Sequence, residues 1–291
     1  MMRTIAWGMS FLAAVVIVSG CGDNLAGPVV SVSAPQDLKA FSANETSISL
    51  QWSAPIDADS GFQGYTIEYG SFSIELSKNQ LVYVAGSLPP GETLFNVFSR
   101  KSNGDKGDGA LIRWAPAARF DSSYVLTEYA QLDPTRQSGM NVGSRTTTPF
   151  TLQVNGTAGN VLDFLCDGGV DNTGPLTLVG ADVYGGSFRP TRFSIRSDSS
   201  PSLDLPLAVF PADSTFTLGS VAITNNSIYY ARVLINSVEL HYVRIHVSVV
   251  QGSASPLRQI IIRLSLQRTT GIPYADATYR MESWRTLRLL G

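Results

Sequence analysis

The chain has 291 residues, and its 21 basic and 23 acidic side chains leave a net charge of −2. A nucleic-acid-binding domain carries a clustered excess of Lys and Arg, so this balance excludes nucleic acid as an expected partner. A chain of this length can bury ordinary hydrophobic cores. Imidazole chemistry has few candidates, because the sequence contains only two histidines.

The first twenty residues have the parts of a secretory signal peptide. Arg3 and the amino terminus supply a cationic start, and an apolar run covers residues 5–18. This run is shorter than the roughly 20 apolar residues that a transmembrane helix needs. A short apolar run that ends in small residues is instead typical of a cleaved leader. We therefore predict that residues 1–20 are removed on export.

The leader ends in Val-Ser-Gly-Cys at residues 18–21. This motif resembles the lipobox of bacterial lipoproteins, in which the cysteine thiol receives a diacylglycerol and cleavage falls just before it. The resemblance implies lipidation of Cys21, a lipidated tether over residues 21–34 and anchorage in a bacterial envelope membrane. Because Gly22 rather than Asp follows the cysteine, it favours the outer membrane over the inner. The alternative is an ordinary secretory signal in which the cysteine is incidental.

Residues 35–116 begin with the pattern of a small β-sandwich. A Pro-x-x-Leu opening at residues 35–38 precedes a segment in which Ile48, Leu50 and Trp52 alternate with polar residues. Such alternation predicts a strand with one face in the core and the other in water. We therefore predict that Trp52 is buried between two sheets.

Two further motifs give this region a family resemblance. Residues 64–69 read Gly-Tyr-Thr-Ile-Glu-Tyr, and residues 88–91 read Leu-Pro-Pro-Gly. Together with the opening and the core tryptophan, they resemble fibronectin type III. The sequence departs from that family at its tyrosine corner, where Leu94 or Phe95 stands. The resemblance implies a spacer or interaction module and no catalytic residues, and the alternative is another seven-stranded sandwich.

Residues 121–291 also have a strand-rich pattern, but they match no family signature. Residues 260–267 alternate most clearly, and residues 279–290 are predicted to be a closing strand, with a short helix as the alternative. Short strands with regular turn signals suggest a sandwich or jelly roll. The predicted fold is therefore all-β, with a fibronectin type III-like sandwich followed by a larger β-sandwich or jelly-roll-like domain.

Two hairpins are predicted within the larger region. Residues 221–223 and 229–231 flank a Thr-Asn-Asn-Ser turn, which indicates the first hairpin. An Asn-Ser pair between residues 231–235 and 238–250 indicates the second.

The sequence nominates no catalytic residues. His241 and His246 lie five positions apart on a predicted strand, so their side chains point to opposite faces and cannot bind one metal together. We expect His241 at the core edge and His246 at the surface. No serine has a nucleophile-elbow motif around it, and no pair of carboxylates stands out for glycoside hydrolysis.

The segment around Cys166 is the one candidate for a cofactor, which would be calcium. Calcium binds several oxygen ligands on a glycine-containing turn, and Asp167, Asp171 and Asn172 could supply them. The alternative is a tight β-turn, which uses the same residue types. Cys166 is expected to be a buried small apolar residue, and with Cys21 lipidated the chain has no second thiol for a disulfide.

Charge is distributed unevenly, with six arginines but only two acids after residue 250. Arginine binds phosphate and carboxylate groups through two parallel hydrogen bonds, and an aromatic side chain can stack on a sugar ring. We therefore predict ligand contacts at Arg280, Trp284 and Arg285, with an anionic glycan as the ligand. The alternative is a solvated sheet face with Trp284 in the core.

These observations favour a lipid-anchored bacterial envelope protein that acts as a non-catalytic binding, adhesion or scaffolding module. The membrane is its expected partner through the lipid, and a glycan or another envelope protein is the second. A polysaccharide-acting hydrolase and a passive structural spacer are the alternatives. An acid-lined cleft would favour the hydrolase, and a featureless surface would favour the spacer.

Overall fold

The computed structural model describes eight stretches of the chain, which are residues 32–58, 61–129, 135–150, 162–169, 172–185, 188–235, 238–250 and 258–272. These stretches form four antiparallel sheets and short 3₁₀ segments, so the all-β prediction is confirmed. None of the helices within them has the length and apolar character needed to cross a bilayer.

The first sandwich contains seven of the described strands. They are β1 (Gln36–Asn44), β2 (Ser47–Ser53), β3 (Phe62–Tyr69), β4 (Phe72–Ser77), β5 (Val82–Ala85), β6 (Thr93–Lys101) and β7 (Lys106–Trp114). One sheet has the order β1-β2-β5 and the other the order β4-β3-β6-β7.

Alternation on β2 places the predicted residues in the core. Ile48 and Leu50 are fully buried, and Trp52 is 3% exposed, so the prediction for Trp52 is confirmed. The Trp52 ring meets the Tyr65 ring edge-on, with their centroids 5.2 Å apart. Gly64 permits a close strand approach, because an added Cβ would lie 2.1 Å from the Leu76 carbonyl oxygen.

The larger sandwich contains eleven of the described strands. They are β8 (Ala118–Thr127), β9 (Gln137–Asn141), β10 (Thr146–Pro149), β11 (Phe164–Asp167), β12 (Thr177–Gly180), β13 (Thr191–Ser199), β14 (Phe216–Leu218), β15 (Ser220–Ala222), β16 (Ser227–Ile235), β17 (Glu239–Val250) and β18 (Gln259–Leu266). A five-stranded sheet has the order β10-β9-β11-β12-β15, and a six-stranded sheet the order β14-β13-β16-β17-β18-β8. Apolar residues from both sheets share one buried cluster, which confirms the larger sandwich.

The second predicted hairpin is confirmed, but the first is wrong. Strands β16 and β17 pair antiparallel, with Ile235 opposite Glu239. Strand β15 pairs instead with β12 in the other sheet, where Val221 lies opposite Leu178. Val221 and Ile223 pack against the core between the sheets. The apolar pattern around the Thr-Asn-Asn-Ser turn therefore marks a crossing between sheets, which alternation cannot distinguish from a hairpin.

Strand β17 is covered on both faces, which changes the expected place of one histidine. The two histidines lie on opposite faces as predicted, but His246 is only 1% exposed rather than at the surface. Its Nε2 lies 3.0 Å from the carbonyl oxygen of Ser200, and burial lowers the pKa of His246. The segment after β13 covers the face of β17 that carries His246. The polar character of this residue therefore did not mean that it is exposed.

The same segment joins the two sandwiches. The amide of Ala40 donates to the carbonyl of Leu207 and the amide of Leu207 donates back to Ala40, both at 2.9 Å. Leu207, Phe210 and Tyr230 belong to the same buried cluster as Trp52. Residues of the first sandwich and of the larger one therefore share a continuous core.

Candidate functional site

A pocket of about 600 Å³ opens at one end of the larger sandwich. The register of the six-stranded sheet brings the start of β8, the end of β16, the start of β17 and the end of β18 together there. Its polar lining consists of Asn141, Ser144, Arg145, Arg189, Glu239, His241 and Arg268. The volume falls within the range of about 300–1,000 Å³ that is usual for small-ligand sites.

The lining is rich in arginine, although Arg189 and Arg268 are paired with acids outside the lining, Asp163 and Glu45. Three guanidinium groups, those of Arg145, Arg189 and Arg268, face a single carboxylate among the described lining residues, that of Glu239. Guanidinium forks match carboxylate and phosphate groups, and a concave site lined by one sign of charge concentrates the opposite charge. The pocket is therefore suited to an anion.

Arg189 is held rigidly at the floor of the pocket. It is almost fully buried, and its Nη2 lies 3.0 Å from Asp163 Oδ2 and 3.3 Å from Asn141 Oδ1. The amide of Val142 donates to the same Asp163 oxygen at 2.7 Å. Burial raises the pKa of Asp163 to about 6, although Arg189 and the Val142 amide favour the carboxylate. Asp163 thus orients Arg189.

Arg145 is positioned differently, by a ring instead of an acid. It lies in the turn between β9 and β10 with φ of 61°, and its guanidinium carbon is 4.9 Å from the centre of the Phe120 ring. It has no carboxylate partner within the part of the chain that the structure describes. A guanidinium stacked on an aromatic face keeps its N–H edge available for an acceptor.

His241 contributes an acceptor. Its side chain is 7% exposed, and its Nδ1 lies 2.8 Å from the carbonyl oxygen of Gln267. A carbonyl can only accept, so Nδ1 carries the hydrogen and Nε2 of the neutral ring is left with a lone pair. Nε2 has no hydrogen-bond partner among the described residues, and the carboxylate oxygen Glu239 Oε2 is 3.8 Å away.

The first sandwich reaches the rim of the pocket. Arg268 pairs with Glu45, in the turn between β1 and β2, at 2.8 Å. Both side chains are more than half exposed, so solvent weakens their attraction. Among the described members of the arginine-rich end, Arg268 is the one that lines this pocket.

Five of the predicted site residues lie outside the described stretches, and one of them, Asp171, belongs to the calcium segment described below. The other four are Cys21, Arg280, Trp284 and Arg285, so lipidation and the carboxy-terminal ligand contacts stay predictions.

The predicted calcium segment is described in part. Asp167 Oδ1 accepts from the Gly169 amide at 3.0 Å, and its other oxygen accepts from the Tyr184 hydroxyl. Asn172 donates through its amide nitrogen to the Tyr129 carbonyl at 3.0 Å. No cluster of three or more His, Cys, Asp or Glu side chains occurs in the described stretches, and Asp171 lies outside them. Calcium stays a prediction.

An ion pair between a buried carboxylate and a half-buried arginine holds this segment in place. Glu128 is fully buried, and its Oε2 accepts from Arg258 Nε at 2.9 Å and Nη2 at 2.6 Å. The same guanidinium donates to the carbonyls of Gly174 at 2.7 Å and Asn172 at 3.0 Å. We call these groups the Glu128–Arg258 clasp. The cation that the loop carbonyls contact is thus an arginine.

Sequence reasoning missed the main residues of the pocket and of the clasp. Glu128 and Arg258 are 130 positions apart, and Arg145 and Arg189 are single arginines without a surrounding motif. Only the turn position of Arg145, between a Gly-Ser pair and three β-prone threonines, offered a local signal. Cys166 is buried as predicted, and burial raises the pKa of its thiol.

Comparison with known proteins identifies the first sandwich. A model of the fibronectin type III domain matches residues 33–107. This sandwich is a fibronectin type III domain. The matched residues cover β1 to β6 and the first residues of β7, which agrees with the resemblance carried by the Pro-x-x-Leu and Gly-Tyr-x-Ile-x-Tyr motifs.

Solved structures give only partial likenesses. The FN5 domain of Drosophila Lar is 24% identical, over 29% of this chain and 96% of that one, with a TM-score of 0.25. Domains d3–d4 of the rat CD45 extracellular region are 19% identical, over 29% and 49%, at 0.25. A two-domain fibronectin type III segment of chicken tenascin is 14% identical, over 78% and 97%, at 0.26. No curated protein matches the chain.

Proposed function

We propose that the protein is a lipid-anchored module of a bacterial envelope that binds an anionic ligand in the pocket without transforming it. The observation that carries the proposal is Arg145, which is stacked on Phe120, has no carboxylate partner in the described stretches and shares the pocket with the immobilised Arg189. The fibronectin type III domain supports it, since such domains typically serve binding or scaffolding.

The positions of the acidic groups favour binding over hydrolysis. Glycoside hydrolysis normally uses two carboxyl groups about 5 to 9.5 Å apart on either side of the bond. Glu239 is the single carboxylate among the described lining residues, and Asp163 below it is engaged with Arg189. His241 donates to a backbone carbonyl rather than to the carboxylate that orients a typical catalytic base.

Anchorage is proposed from the leader, and a labelling experiment tests it. Cells that express the chain are fed labelled palmitate, and the wild-type protein should incorporate it while Cys21→Ser should not, because the sulfur is the acyl acceptor. Fractionation should recover the labelled protein with the outer membrane. An unlabelled wild-type protein would exclude the anchor but would leave the pocket unaffected.

A binding experiment tests the pocket. The full chain is titrated with dextran sulfate and with neutral dextran, and we expect binding of the sulfated polymer only. Arg145→Ala should weaken that binding about tenfold. Arg263→Ala is the matched control, because Arg263 lies on β18 but does not line the pocket.

Two outcomes would favour the other functions. Release of new reducing ends from an acidic polysaccharide would indicate a hydrolase. Equal effects of the two substitutions, or no binding at low salt, would indicate a spacer, because the pocket would then play no part. Binding should also weaken as salt rises, since the Debye length is only about 8 Å at 0.15 M.

A further inference from the structure

The pocket contains a second feature that distinguishes among anions. His241 lines the same pocket as the arginines, and its buried Nε2 has no hydrogen-bond partner within the described part of the chain. A buried polar group without a hydrogen bond is costly, so a ligand that supplies a hydrogen at this point gains affinity. Sulfate has charge but no hydrogen to donate, and a neutral sugar has hydroxyls but no charge.

We propose that the pocket recognises a hydroxylated carboxylate, with the carboxylate on Arg145 and Arg189 and a hydroxyl donating to His241 Nε2. A uronic acid residue of an acidic glycan and a small hydroxy acid share this chemistry. The inference rests on the proposed function, because it specifies the ligand of the same site.

The orientation of each group supports this assignment. Gln267 fixes the tautomer of His241, so in the neutral ring Nε2 accepts and does not donate. Asp163 orients Arg189, and Phe120 holds the guanidinium of Arg145 over its ring. A guanidinium edge fits a planar carboxylate through two parallel hydrogen bonds. These groups are fixed before the ligand arrives, which reduces the entropy lost on binding.

The apolar lining completes the match. Ile235 and Leu266 line the pocket together with the charged groups. The C–H face of a sugar ring can pack on such side chains while its hydroxyls and carboxylate face polar groups. A pocket of about 600 Å³ accommodates a ring of this size with water around it.

The test compares four small molecules on the full chain in detergent micelles by calorimetry at pH 8 and low salt. D-galacturonate has a ring, hydroxyls and a carboxylate, and L-malate has a hydroxyl and carboxylates without a ring. Cyclohexanecarboxylate lacks the hydroxyls, and D-glucose lacks the charge. We expect galacturonate or malate to bind at least tenfold more tightly than cyclohexanecarboxylate and glucose. The ratio of the galacturonate and malate affinities then distinguishes a sugar ligand from a small acid.

Substitutions assign the two contacts separately. His241→Phe should reduce the affinity of the preferred ligand to that of cyclohexanecarboxylate, whose own affinity should not change. His241→Gln should restore part of the difference in affinity between the preferred ligand and cyclohexanecarboxylate, because the amide oxygen of Gln accepts from a hydroxyl. This variant also replaces His241→Phe in the test if the Phe variant fails to fold. Arg145→Ala should reduce the affinities of the preferred ligand and of cyclohexanecarboxylate by the same factor.

The outcomes separate this inference from the proposed function. Equal affinities for galacturonate, malate and cyclohexanecarboxylate, or no effect of either His241 substitution, would overturn the hydroxyl contact while anion binding survived. If the wild-type chain does not bind dextran sulfate, the proposed function and the inference are both overturned.

Discussion

Arg258 and Arg145 lie in the same sandwich but have opposite surroundings. The guanidinium of Arg258 is saturated, because a fully buried carboxylate and two loop carbonyls accept from it. The guanidinium of Arg145 rests on an aromatic ring and has no such acceptor in the described stretches. A saturated arginine stabilises the fold and has little left to offer a ligand, whereas an unsaturated arginine contributes little to stability and can bind. The number of arginines in a region therefore says less about binding than their partners do.

The largest expected effect is on the clasp. Arg258→Ala leaves Glu128 buried without its partner, so we expect a loss of about 3–5 kcal/mol in the free energy of unfolding, measured by urea denaturation. Arg268→Ala is the control, because its pair with Glu45 is exposed and is worth at most about 1 kcal/mol. Equal losses for the two variants would show that the burial of Glu128 adds nothing to the stability that its arginine provides.

The second largest effect concerns the pair of Asp163 and Arg189, which makes the free energy of unfolding depend on pH. The pKa of Asp163 is about 6 in the folded protein, above the value of about 3.9 expected when the chain is unfolded. The folded state therefore binds more protons between these values, and stability falls as pH rises from about 4 to 6. Two pKa units correspond to about 3 kcal/mol, an upper limit for this group.

The variant Asp163→Asn isolates this contribution. It cannot titrate, so the difference in unfolding free energy between the wild-type protein and the variant should decrease as pH rises from about 4 to 6. Urea denaturation at several pH values measures it. A difference that does not vary with pH would show that Arg189 holds the carboxylate ionised throughout.

The smallest expected effect on stability is at Arg145. Arg145→Ala removes one cation–π contact at the surface, so the free energy of unfolding should fall by only about 0.5–1 kcal/mol. Its effect on anion binding should be about tenfold. A loss above about 2 kcal/mol in urea would show that Arg145 is a structural residue like Arg258.

Local patterns predicted strands more reliably than the connections between them. Alternation placed Trp52 and the even residues of β18 in the core, because burial of one face repeats every two residues. The same kind of pattern at Val221 suggested a hairpin, although β15 belongs to the other sheet. Alternation reports that a side chain is buried but not which strand lies beside it.

The binding site could not be located in the same way. Its residues come from strands and turns between Phe120 and Arg268, and only the fold brings them together. Charge counting directed attention to the carboxy-terminal arginines, since the sequence does not show that Arg258 already has Glu128. Conversely, nothing in the sequence around Arg145 shows that a ring rather than an acid holds it.

The paired bonds between Ala40 and Leu207 have a mechanical consequence. Together with the shared core, they hold the fibronectin domain and the sandwich that contains the pocket in one fixed relative orientation. A force applied to the larger sandwich should reach the fibronectin domain through buried apolar contacts and the two backbone hydrogen bonds. The two described sandwiches should therefore respond to load as one stiff body.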